Sequence, residues 1–426
     1  MKITTDQLAR QLASELGAAT LTNEPSALTA HAVDGTVPAL ICTPATPEQL
    51  AVALGICREA QAAVIPWGGG TAMAIGNPPQ RGDVIFKTRQ LNRIIDHDHA
   101  NLTVTVQSGL TLHALQAVLA KQKQFAPFDA PLPERSTLGG IVAANLNGPR
   151  RGSWGSVRDL VIGTKVVLGT GEQIKAGGKV VKNVAGYDMC KLFTGSLGTL
   201  GIFTELTVRV APIPEHGATG VAWGTLEQAE QLAGAITNSK LLPAAVFVRS
   251  NAVEHNWRLM VSFEGFTESV TRQLCELDSM AQQRGMHTEA LGAEDGQRLW
   301  QELRDLPLAA GRLIYRLTVP RKSLAQLIRV IQSARPGAPA IVADMVMGTI
   351  WIVGAANQTF TGEFSRLIGL AQQQRGHAVM FAAPAQLKQG VEVWGPAPPA
   401  LALMREIKQQ FDPQAILNPG RFVGGF

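Results

Sequence analysis

Apolar residues recur at helical spacing in several stretches of the chain, each preceded by a residue suited to start a helix. Leu8, Leu12 and Leu16 stand at i, i+4 intervals behind Thr4 or Thr5, which predicts an amphipathic amino-terminal helix with a threonine cap. Thr46-Pro47-Glu48 supplies a cap, a first-position proline and a first-turn acid, and Leu50, Leu54 and Cys57 share one face behind it. A helix from about Pro47 to Gln61 follows. Thr111 caps a third helix carrying Leu112, Leu115 and Leu119. Between these lie strand-like runs: Ala62 to Ile65 reads as the end of a strand, Val84 to Thr88 as a short strand, and Leu102 to Gln107 alternates apolar and polar. The rhythm predicts an α+β domain.

Beyond Thr137 the pattern changes. Strand-like runs (Leu160 to Leu168 within Asp159 to Glu172, ending in a Gly169-Thr170-Gly171 turn, and Phe203 to Val210) alternate with glycine-rich loops. The proline pair Pro212 and Pro214 breaks it, and helices over Leu226 to Thr237 and Val270 to Arg284 then alternate with strands. Ala340 to Ala356 is the longest apolar stretch, but it holds Asp344 and two glycines, so it reads as strand, turn, strand and not as a membrane span. Leu401 onward begins as a helix and ends in the loop Asn418-Pro419-Gly420-Arg421. The expected organisation is a first domain over 1–213, a second over 214–400, and a tail over 401–426 that returns to the first. In the second, strands joined through helices and through the turn at Gly348 predict an antiparallel sheet.

The chain has 426 residues, enough for two or three domains. Net charge is +5 and the pI near 9.1, yet no block of five like charges occurs, which disfavours a nucleic-acid partner. Cys42, Cys57, Cys190 and Cys275 have no C-x-x-C spacing and no histidine at ligand intervals, so neither zinc nor an iron–sulfur cluster is expected in this chain. They read as buried or incidental thiols of a reducing compartment. The amphipathic amino terminus is not a signal peptide.

The segment from Pro66 to Pro79 carries the most chemistry. Gly68, Gly69 and Gly70 remove every Cβ from one side of a turn, with Thr71 and Gly76 beyond them, so backbone N–H groups can converge on an anion. It is not G-x-G-x-x-G, because Met73 takes the third glycine's place, and no Gly-Lys-Ser/Thr follows. A phosphate cradle and a mere tight turn both remain open on this segment alone. On the cradle reading, a bulky residue at Gly69 would fill the space of the anion and abolish its binding.

Three separated stretches together resemble one family, the FAD-linked oxidases of the vanillyl-alcohol-oxidase or PCMH type. They are the triple-glycine loop; then Ser136 to Asn145, Trp154 to Asp159, Lys182 to Asp188 and Gly195 to Gly201; and finally Phe411 to Gly420. Within the family the chain resembles the E-type FAD-binding subunits of bacterial glycolate oxidases, through Gly148-Pro149-Arg150-Arg151 followed by Gly155-Ser-Val-Arg-Asp159. The resemblance implies a PCMH-type FAD domain with a cap, and noncovalent FAD, since the glycine loop holds no histidine or cysteine. It implies a diphosphate cradle from Gly68, Gly69, Gly70 and Thr71. Thr137, Gly139, Gly140, Ala143 and Ala144 would line the ring, where small residues let backbone approach. Pro66, Gly76, Ser136, Gly155, Ser156, Gly198, Gly201, Ile202 and Asn418 complete the implied cofactor set. A D-type FAD-linked sister and an iron–sulfur subunit are the implied partners, with a cytoplasmic location or a peripheral one at the inner face of the membrane through the complex.

Relatives that oxidise D-2-hydroxy acids hold the substrate carboxylate with an arginine in a Leu-Trp-containing helix, and a divalent metal with paired histidines. Leu299-Trp-Gln-Glu-Leu-Arg304 matches that helix, which makes Arg304 a candidate for the carboxylate; a solvated surface arginine is the alternative. The histidine positions fall on Asp344 and Trp351, and tryptophan cannot ligate. His255, His287 and His377 lie far apart in sequence, so no metal is expected. Three readings follow: an FAD-bearing subunit of a glycolate dehydrogenase making glyoxylate, an independent 2-hydroxy acid flavoenzyme, or a scaffold with structural FAD.

Overall fold

A computed structural model describes residues 4–179, 187–251, 256–309, 311–333, 340–355 and 361–426. The Lys182–Gly186 part of the glycine-rich motif and His255 lie outside the described residues. The chain divides into two compact units: Met1–Leu146, Ser156–Pro212 and Lys388–Phe426 form the first; Asn147–Gly155 and Ile213–Leu387 form the second. Two stretches fall differently from the division read off the sequence. Asn147–Gly155 joins the second unit, where Arg150 and Trp154 bond the Glu264 carboxylate at 3.1 and 2.8 Å. Residues 388–400 join the first, where the Lys388 ammonium bonds both carboxylate oxygens of Asp34.

The first unit starts with the helix Thr5–Leu16, capped by Thr4, whose leucines 8, 12 and 16 are buried. The helix Pro47–Glu59 is capped by Thr46, which accepts from the Gln49 N–H. Both supply buried side chains to a core shared with the strands Leu40–Cys42, Val64–Trp67 and Val84–Lys87 and with Ile416 and Leu417 of the tail. These strands form a sheet in the order Leu21–Thr22, Leu40–Cys42, Val84–Lys87, Val64–Trp67, with the last three parallel. A second, antiparallel sheet runs in the order Ile94–Asp98, Thr103–Gln107, Ile202–Arg209, Val161–Val167, Gln173–Gly177. The strand expected from Asp159 begins only at Val161, because Val157–Leu160 is one turn of helix. The Asp159 carboxylate closes that turn by accepting from the Ser156 N–H and hydroxyl, bonds that hold its pKa below the ordinary value.

The second unit is built on an eight-stranded antiparallel sheet in the order His287–Leu291, His216–Gly224, Asn256–Gly265, Pro243–Asn251, Ala340–Asp344, Thr349–Ala355, Arg312–Thr318, His377–Ala382. Side chains alternate between its faces. Tyr315 stacks on Phe364 of the helix Thr361–Gln373, and Gly220 lies under Leu274 and Leu277 of the helix Thr267–Gln282. On the other face, Val221, Phe247, Met260, Val342 and Trp351 pack with Leu299, Trp300 and Leu303 of the helix Ala293–Asp305. Among the described residues no helix is long and apolar enough to cross a membrane.

Candidate functional site

The strand Val64–Trp67 delivers the chain into Gly68-Gly69-Gly70. Glycine is required here by crowding. A Cβ on Gly68 would lie 2.2 Å from the Thr137 hydroxyl oxygen, one on Gly69 would lie 1.8 Å from the Arg135 carbonyl oxygen, and Gly70 has φ +71°. The triple glycine therefore lets two loops touch, and the expectation that a side chain at Gly69 would directly occupy anion space is corrected: it would first strike Arg135. The contact is fastened by hydroxyls. Ser136 donates to the Pro131 carbonyl at 2.6 Å, so the 2.9 Å contact between Thr71 and Ser136 is a bond donated by Thr71.

From that junction Thr137 caps the helix Leu138–Ala144, accepting from the Gly140 N–H, while Gly139 donates to the Ser108 carbonyl at 2.8 Å. A third segment joins when Leu197 donates to the Ala143 carbonyl and Asn418 Nδ2 donates to the Leu197 carbonyl at 2.6 Å. The tail lies alongside Val64: the Val64 N–H donates to Ile416, and the Asn418 N–H donates back to Val64. Asp412 sets this course by accepting from the Ile416 and Leu417 N–H groups and from the buried Lys408 ammonium at 2.6 Å.

The far half of the glycine loop is held from behind. The Arg421 guanidinium donates to the Met73, Ile75 and Asn77 carbonyls, Lys388 donates to those of Ala74 and Gly76, and both cations meet Asp34. With those carbonyls committed to the cations, the near half keeps its donors. Among the described residues the N–H groups of Gly69, Gly70, Thr71 and Ala72 donate to no protein group. Unpaired amides in series make an anion site.

These segments together line one partly open cavity. It brings together Pro66, Gly68, Gly69, Gly70, Thr71, Gly139, Gly140, Ala143, Ala144, Gly198, Gly201, Ile202 and Asn418 of the implied set. Ser136 and Thr137 are buried behind the wall as its fasteners, and Gly76 packs on the Arg421 carbonyl. Gly155 ends a turn of helix in the second unit, and Ser156 caps the turn that follows; neither lines the cavity. The lining also includes Trp67, Ala72, Met73, Thr88, Ser108, Leu197, Phe203 and Arg421, which the sequence did not single out as ligands. Ser108 Oγ and Asn418 Oδ1 are buried on this wall without a protein hydrogen-bond partner. A glycine-rich anion cradle, an apolar slot and unsatisfied polar atoms fit a dinucleotide flavin.

In the second unit, Arg304 lies at the end of its helix with its guanidinium forked onto the adjacent Asp305 carboxylate at 2.9 and 3.2 Å. Asp344 is buried, its Oδ1 accepting from the Val346 and Met347 N–H groups, and burial pushes its pKa up to about 6. Trp351 packs edge-on to Phe381. Cys42, Cys57 and Cys190 are buried free thiols, and burial pushes that of Cys42 up to about 12.

Residues 38–177 match the family described as FAD binding domain, and residues 396–422 match FAD linked oxidases, C-terminal domain. The chain is 31% identical over 334 residues to glycolate oxidase subunit GlcE of Escherichia coli (strain K12), spanning 77% of this chain and 84% of that protein. It is 29% identical over 430 residues to glycolate oxidase subunit GlcD of Bacillus subtilis (strain 168), spanning 90% and 89%. Against the D-lactate dehydrogenase of Anaerostipes hadrus it is 27% identical over 426 residues, again spanning 90% and 89%. Among solved structures, substrate-bound p-cresol methylhydroxylase superposes with a TM-score of 0.75 at 15% identity, over 98% of this chain and 96% of that one. An alkyldihydroxyacetonephosphate synthase superposes at 0.72 and 18% identity, over 98% and 85%. At such identities the likeness speaks for the fold alone, a PCMH-type one.

Proposed function

The chain belongs to the FAD-linked oxidase family, and on that premise we propose that it is the E-type flavin subunit of an assembly that oxidises glycolate to glyoxylate. It is an FAD-linked oxidoreductase, and FAD is its cofactor. The observation that carries the proposal is the cavity of the first unit, where unpaired amides at Gly69 to Ala72 face a slot floored by small residues. Those amides would hold the diphosphate, and Gly139, Gly140, Ala143 and Ala144 would admit the ring system. Ser108 and Asn418 would give it their unsatisfied oxygens. No described lining residue is a histidine, cysteine or tyrosine, which supports noncovalent binding. When bound, FAD supplies two-electron acceptance from a hydroxyl-bearing carbon.

Similarity to both GlcD and GlcE supports the subunit reading, and the Gly148–Arg151 run favours the E type. A D-type sister would oxidise the acid and an iron–sulfur subunit would take the electrons onward, in the cytoplasm or against the inner face of the membrane. The first unit would be the FAD domain and the second its cap. Trp351 in place of a ligating histidine means that hydroxyl activation here lacks a metal pair, a loss worth several orders of magnitude in rate. Anaerobic stopped-flow tests this. The isolated holoprotein should bleach only very slowly with glycolate or D-lactate, and co-expression with the two partner subunits should restore glycolate-dependent dye reduction. Fast bleaching of the isolated chain, lost in Arg304→Ala, would instead favour an independent 2-hydroxy acid dehydrogenase.

A further inference from the structure

Arg316 of the second unit has no paired carboxylate among the described residues, and its surroundings are aromatic. Arg316 stands opposite Trp351 in the antiparallel register, and a bulge in the neighbouring strand inserts Phe381 beside it. Its guanidinium carbon lies 4.9 Å from the Phe381 ring centroid and 5.8 Å from that of Trp351, and the two rings meet at 85°. The cation therefore occupies an aromatic corner. Its Nε is buried without a hydrogen-bond partner, and among the described residues no carboxylate pairs with it. The titratable groups that act on it add no negative charge. Arg151 is a second cation, and the pKa of His377 is lowered by burial and by Arg316 itself. The Asp344 carboxyl, which acts on Arg151, spends Oδ1 on its own turn.

A guanidinium nitrogen buried without a partner, as Nε of the half-buried Arg316 is, is costly unless a ligand relieves it. Arg249, in the same cross-strand row, shows the ordinary solution, since it reaches Glu302 at 3.4 Å. Arg304 likewise has Asp305. With Phe381 and Trp351 against the guanidinium, its planar edge is what remains for recognition, and that edge matches two coplanar oxygens.

We propose that Arg316, assisted by Arg151, forms a carboxylate-binding site on the helix Ala293–Asp305 face of the second unit's sheet, taking a short 2-hydroxy or 2-oxo acid. The anion chemistry stands on the geometry; the identity of the acid rests on the function proposed above. The burial that drives Arg316 down to about 10 is the cost that a bound carboxylate would offset.

Isothermal titration of the FAD-loaded protein with glyoxylate, oxalate and inorganic phosphate tests the site. Saturable binding of the carboxylates is expected, weakened at least tenfold in Arg316→Gln, weakened less in Arg316→Lys, and unchanged in Arg304→Gln. Arg316→Lys, with its charge kept, guards against misfolding of the neutral variant, and circular dichroism on each confirms the fold. No carboxylate binding to the wild type, equal binding to Arg316→Gln, or loss confined to Arg304→Gln would each overturn the proposal, as would tighter binding of phosphate than of either carboxylate. If glyoxylate binds through Arg316 while the co-expressed complex fails to oxidise glycolate, the site stands and the substrate reading falls.

Discussion

Gly69 and Asp344 behave in ways that their neighbours dictate. Because a Cβ on Gly69 meets a backbone carbonyl and not the open cavity, Gly69→Ala should destabilise the protein whether or not flavin is present, by about 1–3 kcal/mol as an overpacked site does. Denaturant titrations of apo and holo protein will show it; a loss confined to the holo form would contradict the packing account. For Asp344 the sign is set by burial. Its folded pKa is raised from 3.8 to about 6, so its contribution is fully present below pH 3.8 and is lost as pH rises through about 6. The difference corresponds to about 3 kcal/mol by the free energy of a pKa shift. Asp344→Asn keeps an oxygen for the Val346 and Met347 amides, and so should gain stability relative to wild type between pH 4 and 7. Parallel stability curves over that range would refute this.

Element by element, helix starts were legible because their signals are local. Thr4, Thr46 and Thr111 each cap the helix expected of them, and the strand-turn-strand around Gly348 forms as its apolar pattern implied. The cavity was legible where it is built from glycine and alanine runs, and obscure where it draws on single residues from distant segments. Ser108, Phe203 and Arg421 reach it only through sheet register and tail docking, which no spacing encodes. Arg421 had one weak signal, a cation after Asn418-Pro-Gly in an apolar tail. The tail makes its own prediction. Asp412→Ala would free the Ile416 and Leu417 amides and leave the buried Lys408 ammonium unpaired, a loss of about 3–5 kcal/mol. Thermal melts should show that loss together with flavin release, and Lys408→Met combined with Asp412→Leu should recover part of the stability. No change in either readout would mean that the tail is held by its apolar contacts alone.

For the whole molecule, the division into units predicts unequal autonomy. Residues 213–387 contain every strand of the eight-stranded sheet and should unfold cooperatively when expressed alone, whereas residues 1–212 lack the tail and should neither fold nor retain flavin. Circular dichroism melts of the two fragments decide it, and a flavin-binding 1–212 fragment would be the contrary result. The cluster of Asp34 with Lys388 and Arg421 gives that asymmetry a meaning in time. Asp34 is separated from each of its two cations by more than 350 residues of chain, so a ribosome adds Arg421 long after it has made the loop that Arg421 braces. The glycine loop that Arg421 braces is translated early, yet it must wait through synthesis of the whole second unit for the residue that fixes its carbonyls. Cofactor capture thus waits for Arg421, and a ribosome stalled before that residue would carry a nascent protein unable to turn yellow.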